Sequence, residues 1–214
     1  MSLPADAPII GILKMSLAID FYFDFSSPYG YIASQLIDPL AEKYGRSSHW
    51  HAIVLNDNFQ SLERMKMAGN MTRTDYIKRD AQRLAAYYGI AYHTPSLVGV
   101  NTEQAARLFH TIHDRDPQQG TAFASLVLKA YFVENKNIAI LEELQALASQ
   151  VDISTEEFHE ACSNPSSRAR VKAEVDMAEA RGVFGSPFFM VGGERFWGND
   201  RLPQLERWLA TGPY

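Results

Sequence analysis

The sequence predicts an α/β fold in which a β-α-β unit and a closing β-β-α unit flank a long all-helical insertion. Three observations predict it. An apolar strand pattern, Ile19 to Phe25, runs straight into a serine–proline turn and then a helical pattern. A series of helical patterns without intervening strands fills the middle of the chain. Gly192-Gly193 then joins two short runs, Phe188–Val191 and Glu194–Trp197, with Pro187 just ahead of the first.

The elements follow in order. Residues 1–15 are read as a disordered extension outside the fold. Its apolar run Ile9–Leu13 is short and lacks a basic flank, which makes a poor secretion signal. Ile19–Phe25 is rich in β-branched and aromatic residues, as a buried strand should be. Tyr29–Tyr44 carries Ile32, Leu36, Ile37 and Leu40 near helical spacing and ends at Gly45; Pro39 lies inside it, where a kink is expected. His49–Leu55 alternates as a second strand. Helices are predicted over 75–88, 102–114, 121–135, 141–150, 155–162 and 167–181, with Asp75, Thr102, Thr121 and Thr155 as N-caps. Asp116-Pro117 and Asn164-Pro165 read as punctuation between them. A last helix is expected from Arg201 to Leu209. This order, with a proline before the closing hairpin, is that of a thioredoxin-like domain, here assigned to residues 16–59 and 183–214, with a helical insertion domain over 60–182.

Composition narrows the function. Of 214 residues, 46% are apolar and 21% charged, which suits a packed core. With 20 Lys and Arg against 25 Asp and Glu, the net charge of −5 argues against nucleic acid as a partner. No apolar run reaches the ~18 residues of a membrane-spanning helix, so no membrane partner is expected. Cys162 is the only cysteine and cannot form an internal disulfide, so a cytoplasmic location is expected. The pairs His49/His51 and His110/His113 could each share one face of their element, but no third ligand is suitably spaced, and no metal is expected.

The residues of interest have plain readings too. Ser27, followed by Pro28, fits an ordinary helix N-cap worth ~1 kcal/mol. Ser186-Pro187 fits a turn entering a strand. Asn199 or Asp200 fits an N-cap of the last helix, with Arg201 balancing Asp200.

Three motifs, Asp24-Phe25-Ser26-Ser27-Pro28-Tyr29, Phe184-Gly185-Ser186-Pro187-Phe188 and Trp197-Gly198-Asn199-Asp200-Arg201, together resemble the 2-hydroxychromene-2-carboxylate isomerases. These are close relatives of kappa-class glutathione transferases and share the periplasmic disulfide oxidoreductase fold. Met65–Asn70 and Tyr76–Arg83 are similar to further family segments, whereas Thr94–Val98 lacks an aromatic residue that some relatives place there. The resemblance implies glutathione as cofactor and a small aromatic oxoacid as substrate. It makes Ser27 the catalytic residue, where thioredoxin-like folds carry a reactive cysteine, with Ser26 supporting it. Glutathione would be held by Ser27, Ser186, Trp197, Gly198, Asn199 and Asp200. Lys66 and Asn70 would face the organic substrate. Relatives imply a homodimer.

The activity implied is glutathione-dependent cis–trans isomerisation, interconverting 2-hydroxychromene-2-carboxylate and trans-o-hydroxybenzylidenepyruvate in aromatic degradation. Two other readings stand beside it: a kappa-like transferase or peroxidase acting on other electrophiles, and a non-catalytic binding protein of the same fold. A dithiol oxidoreductase is excluded, because the turn has no cysteine.

Overall fold

The computed structural model describes residues 18–55 and 71–214. Strand β1 (Ile19–Phe23) lies inside a sheet of order β2-β1-β3-β4. It pairs in parallel with β2 (Ser48–Ala52) and antiparallel with β3 (Phe188–Val191), which pairs antiparallel with β4 (Glu194–Trp197) across the expected Gly192-Gly193 turn. Alternation sends Phe21 and Phe23 to one face of the sheet, where they pack with Trp50, Phe189 and Phe109. Tyr22 faces the other way, into a smaller core with Ile53, Val175, Ala178, Phe188 and Met190.

The helix expected over Tyr29–Tyr44 is two helices, α1 (Pro28–Ser34) and α2 (Ile37–Lys43). Pro39 explains the break. It has no N–H to bond the Gln35 carbonyl four residues back, and its ring would crowd that carbonyl, so the chain restarts at Ile37. The helical stretch comprises α3 (Met71–Tyr88), α4 (Glu103–Arg115), α5 (Pro117–Phe132), α6 (Leu141–Ala148), α7 (Thr155–Ser163) and α8 (Pro165–Ala180). Most of the expected N-caps are misplaced. Asp75 and Thr121 lie inside α3 and α5. Asp116 caps α5 by accepting from the Gln118 and Gln119 N–H groups, and Asn164 caps α8 through the Ser166 N–H. In both, the following proline fills the first helical position, which needs no N–H. Ser154, not Thr155, caps α7 in a reciprocal capping box with Glu157. A 3-10 turn, Asn199–Arg201, leads into the last helix α9 (Leu202–Thr211). Among the described residues, no helix is long and apolar enough to cross a membrane.

A polar chain fastens α8 to the sheet. His51 bonds Glu174 at 2.8 Å through Nδ1 and Asp20 at 3.2 Å through Nε2, and stacks on Tyr22. Arg170 bonds Glu174 at 2.7 Å, and Arg181 bonds both Asp20 and the Tyr22 hydroxyl at 2.5 Å. Burial opposes the imidazolium, but the bonds to Asp20 and Glu174 outweigh it and hold His51 above its usual 6.5. Burial likewise opposes the Glu174 carboxylate, yet His51 and Arg170 bring it down to about 2. The His51 contribution is therefore fully present below pH 6.5 and lost as pH rises through its raised value. That of Glu174 is present above pH 4.5 and lost as pH falls through about 2. Thermal melts across pH are expected to decline on the alkaline side of pH 6.5, and His51→Gln is expected to flatten that decline. An unflattened decline would assign it to other groups.

Candidate active site

Strand β1 ends against a turn that the sequence strings together as Asp24-Phe25-Ser26-Ser27-Pro28. Ser27 has extended backbone (φ −84°, ψ 115°), so its side chain folds back over the first turn of α1. Its Oγ accepts from the Gly30 N–H at 3.0 Å and donates to the Ser186 carbonyl at 3.0 Å. The N-cap reading of Ser27 is thus correct as far as it goes. Pro28 has no N–H and Gly30 N–H is taken, which leaves Tyr29 N–H as the first-turn amide without a partner among the described residues. With seven residues, α1 has a short macrodipole, so any stabilisation of an anion here comes chiefly from such local donors. Ser27 as a whole is buried, with 8% of its surface exposed.

Ser186-Pro187 faces this turn through a cis peptide bond. The Ser186 Oγ accepts from the Asp24 N–H at 2.9 Å, so Ser186 meets the serine turn with both its hydroxyl and its carbonyl. The approach is close enough that a Cβ on Gly30 would lie 2.9 Å from Ser186 Oγ and 3.2 Å from Ser27 Cβ. Pro187 in turn accepts from the Gly198 N–H at 3.0 Å. Gly198 sits at φ 100° and ψ 152°, a region essentially reserved for glycine.

Asn199 follows, in the 3-10 turn that packs against α1. It is 2% exposed, and neither its Oδ1 nor its Nδ2 has a hydrogen-bond partner among the described residues. A buried carboxamide left unpaired costs about 1–3 kcal/mol. Neither Asn199 nor Asp200 caps the last helix, contrary to expectation: the 3-10 turn intervenes, and Arg201 holds the cap position of α9 without a side-chain bond. Capping therefore does not account for either residue. Asp200 is exposed, with Arg201 at 3.4 Å. Trp197 is 48% exposed and packs its ring against Phe184.

The structure therefore brings Ser27, Ser186, Gly198 and Asn199 into one continuous group and leaves Trp197 and Asp200 exposed on the chain beside it. Lys66 and Asn70 lie outside the described residues. Asp24 belongs to the group too; it heads the first motif, but sequence reasoning assigned it no role. Its buried carboxylate accepts from Ser26 N–H and Ser26 Oγ at 2.7 Å each, from Leu55 N–H at 2.7 Å and from Thr102 Oγ1 at 3.4 Å. Thr102 occupies the cap position of α4 but makes no cap bond there.

The other candidates are occupied elsewhere. Each histidine of the first pair leans on Asp20, and His51 on Glu174 as well. His110 bonds the Ala52 carbonyl, and burial lowers its imidazole to about 4, so it is neutral near pH 7. Burial pushes the Cys162 thiol up, away from reactivity. A separate cavity between Val54 and the face of α8 has Arg168 and Lys172 on its wall. Both cations are already paired, with Glu103 at 3.1 Å and Asp176 at 2.5 Å, and none of the Ser27 group lines it.

Known proteins share this fold. A family model for a DSBA-like thioredoxin domain matches residues 18–210. A 2-hydroxychromene-2-carboxylate isomerase from Pseudomonas putida is 33% identical over 201 residues, covering 89% of this chain and 93% of that protein. The solved structure of a 2-hydroxychromene-2-carboxylate isomerase superposes with a TM-score of 0.76 at 30% identity, covering 90% of this chain and 94% of the other. The cytosolic disulfide reductase DsbM from Pseudomonas aeruginosa, solved with GSH, shares the fold at 18% identity and a TM-score of 0.62, covering 91% and 96%.

Proposed function

We propose a glutathione-dependent cis–trans isomerisation for this chain, which belongs to the DSBA-like thioredoxin family and, within it, to the 2-hydroxychromene-2-carboxylate isomerases. The substrate pair is 2-hydroxychromene-2-carboxylate and trans-o-hydroxybenzylidenepyruvate. The observation that carries the reading is the Ser27 hydroxyl, held at the start of α1 and 3.0 Å from the Ser186 carbonyl.

Glutathione would supply the sulfur nucleophile that adds reversibly to an alkene carbon, letting the former double bond rotate before the sulfur leaves. The protein's task is to hold that sulfur ionised and aimed. Ser27 has one proton, now given to the Ser186 carbonyl. Turning it toward a sulfur would free that carbonyl to accept a peptide N–H from the same ligand, so one rotation creates two complementary groups. Tyr29 N–H adds a second donor near the same point. The Ser27 hydroxyl has no histidine beside it to act as base: its partners are Gly30 N–H and a carbonyl. It is a weak nucleophile on its own, so it serves as donor.

The tripeptide's γ-glutamyl end carries both a carboxylate and an ammonium group. The unpartnered Asn199 carboxamide suits the first and the exposed Asp200 carboxylate the second. The lack of a partner for that amide among the described residues supports this assignment.

The test mixes chromene carboxylate with the enzyme, with and without glutathione. Isomerisation is expected only with glutathione, whose concentration stays constant. Equal rates in both samples overturn the mechanism, and consumption of glutathione replaces it with a transferase.

A further inference from the structure

We propose that Asp24 is a positioning residue for the reacting sulfur: its carboxylate fixes the turn that aims the Ser27 hydroxyl and registers that turn on the helical segment. The inference rests on the reading of Ser27 given above.

Asp24 is 2% exposed just past the end of β1, a buried place where a carboxylate persists only if its bonds are made. Its bonds reach the serine turn, Ser186, the end of β2 and the start of α4. One oxygen takes the Ser26 N–H, the Ser26 hydroxyl and Thr102 at the start of α4. The other takes Leu55 N–H, where the chain leaves β2 for the helical stretch. Its backbone contributes as well: Asp24 N–H donates to Ser186 Oγ, and its carbonyl accepts from Ser27 N–H at 3.0 Å. The residues on either side of Ser27's hydroxyl, Ser26 and Ser186, are therefore both tied to Asp24.

The four donors to the carboxylate are neutral, and burial pushes its ionisation up against them. A site that needed only a stable turn could use an apolar residue here; a carboxylate pins both backbone N–H groups at once. A carboxamide cannot, because its amide nitrogen must face one of the two N–H donors.

The experiment compares wild type with Asp24→Asn and Ser26→Ala, measuring kcat, KM for chromene carboxylate, the pH profile of kcat/KM and glutathione binding by calorimetry. With Asp24→Asn, kcat is expected to fall about tenfold or more while glutathione affinity stays within about threefold, since the turn is misaimed and the rest of the ligand's contacts remain. The pH profile is expected to move to the alkaline side, because a sulfur that loses its donor ionises less readily. An acid displacement would mark Asp24 as acting through its charge and overturn positioning. A lowered Tm with unchanged kcat and profile would mark a structural role and overturn it too. If Asp24→Asn does not fold, Ser26→Ala decides: a smaller fall in kcat with the same alkaline shift supports the proposal, and wild-type kinetics overturn it. A wild type that neither binds nor needs glutathione removes the proposed function and Asp24's role together; a glutathione-dependent wild type beside an indifferent Asp24→Asn removes Asp24's role alone.

Discussion

Ser27→Ala is expected to lower kcat by about 100-fold near neutral pH, the scale set by removing one aimed hydrogen-bond donor from a developing anion. The loss should shrink as pH rises. Without the hydroxyl the bound thiol is harder to ionise, so its titration moves to higher pH and more of the thiolate returns in alkali. Absorbance of the bound thiolate across pH measures that displacement directly, alongside the rate. Stability changes separately. Removing Oγ leaves the Gly30 N–H and the Ser186 carbonyl unbonded, at a cost of about 1–3 kcal/mol. In a chain of this size that lowers Tm by about 2–4 °C per kcal/mol. A variant that melts lower but keeps the wild-type kcat and thiol titration would return Ser27 to the rank of an ordinary N-cap and remove it from the chemistry.

The comparison of sequence with structure divides along the range of the interactions. Strand β1, the serine–proline turn and the Gly192-Gly193 hairpin were legible because each is decided within a few residues, by alternation, a cap and a two-residue turn. Helix starts were less so. At Asp116-Pro117 and Asn164-Pro165 a capping side chain immediately precedes a proline, a combination that opens a helix as readily as it closes one. The break at Gln35-Leu36 needed Pro39 to be read through its effect four residues back. Asp24 was missed as a member of the site because its partners Leu55 and Thr102 lie 31 and 78 residues away. One local signal did exist: a carboxylate at the end of a strand as apolar as Phe21-Tyr22-Phe23 must be buried, and a buried carboxylate must be bonded. For Asn199 the sequence offered capping and ligand binding as rivals, and the cap position at Arg201 removes the first, with ligand binding left as the proposal its amide tests.

That unpaired amide yields the second large effect, in which binding and stability should move in opposite directions. Most substitutions in a buried site weaken both. Asn199 is different: its carboxamide is buried and makes no hydrogen bond among the described residues, so nothing among them offsets its desolvation cost. Asn199→Leu keeps nearly the same volume and removes both polar atoms. It is expected to leave Tm unchanged or raise it by a few degrees, while weakening glutathione about tenfold or more, equivalent to about 1.4 kcal/mol of lost ligand bonds. Gly198→Ala is the contrasting variant. It forces a side chain into a conformation at φ 100° that costs about 1–3 kcal/mol, so it should lower Tm and disturb the Pro187–Gly198 bond together. Differential scanning fluorimetry with and without glutathione separates the two. If Asn199→Leu melts well below wild type in the absence of ligand, the carboxamide serves the fold. If it melts as high as wild type but gains little from added glutathione, the amide was kept for the ligand, and the instability it imposes on the free protein is part of how the site binds.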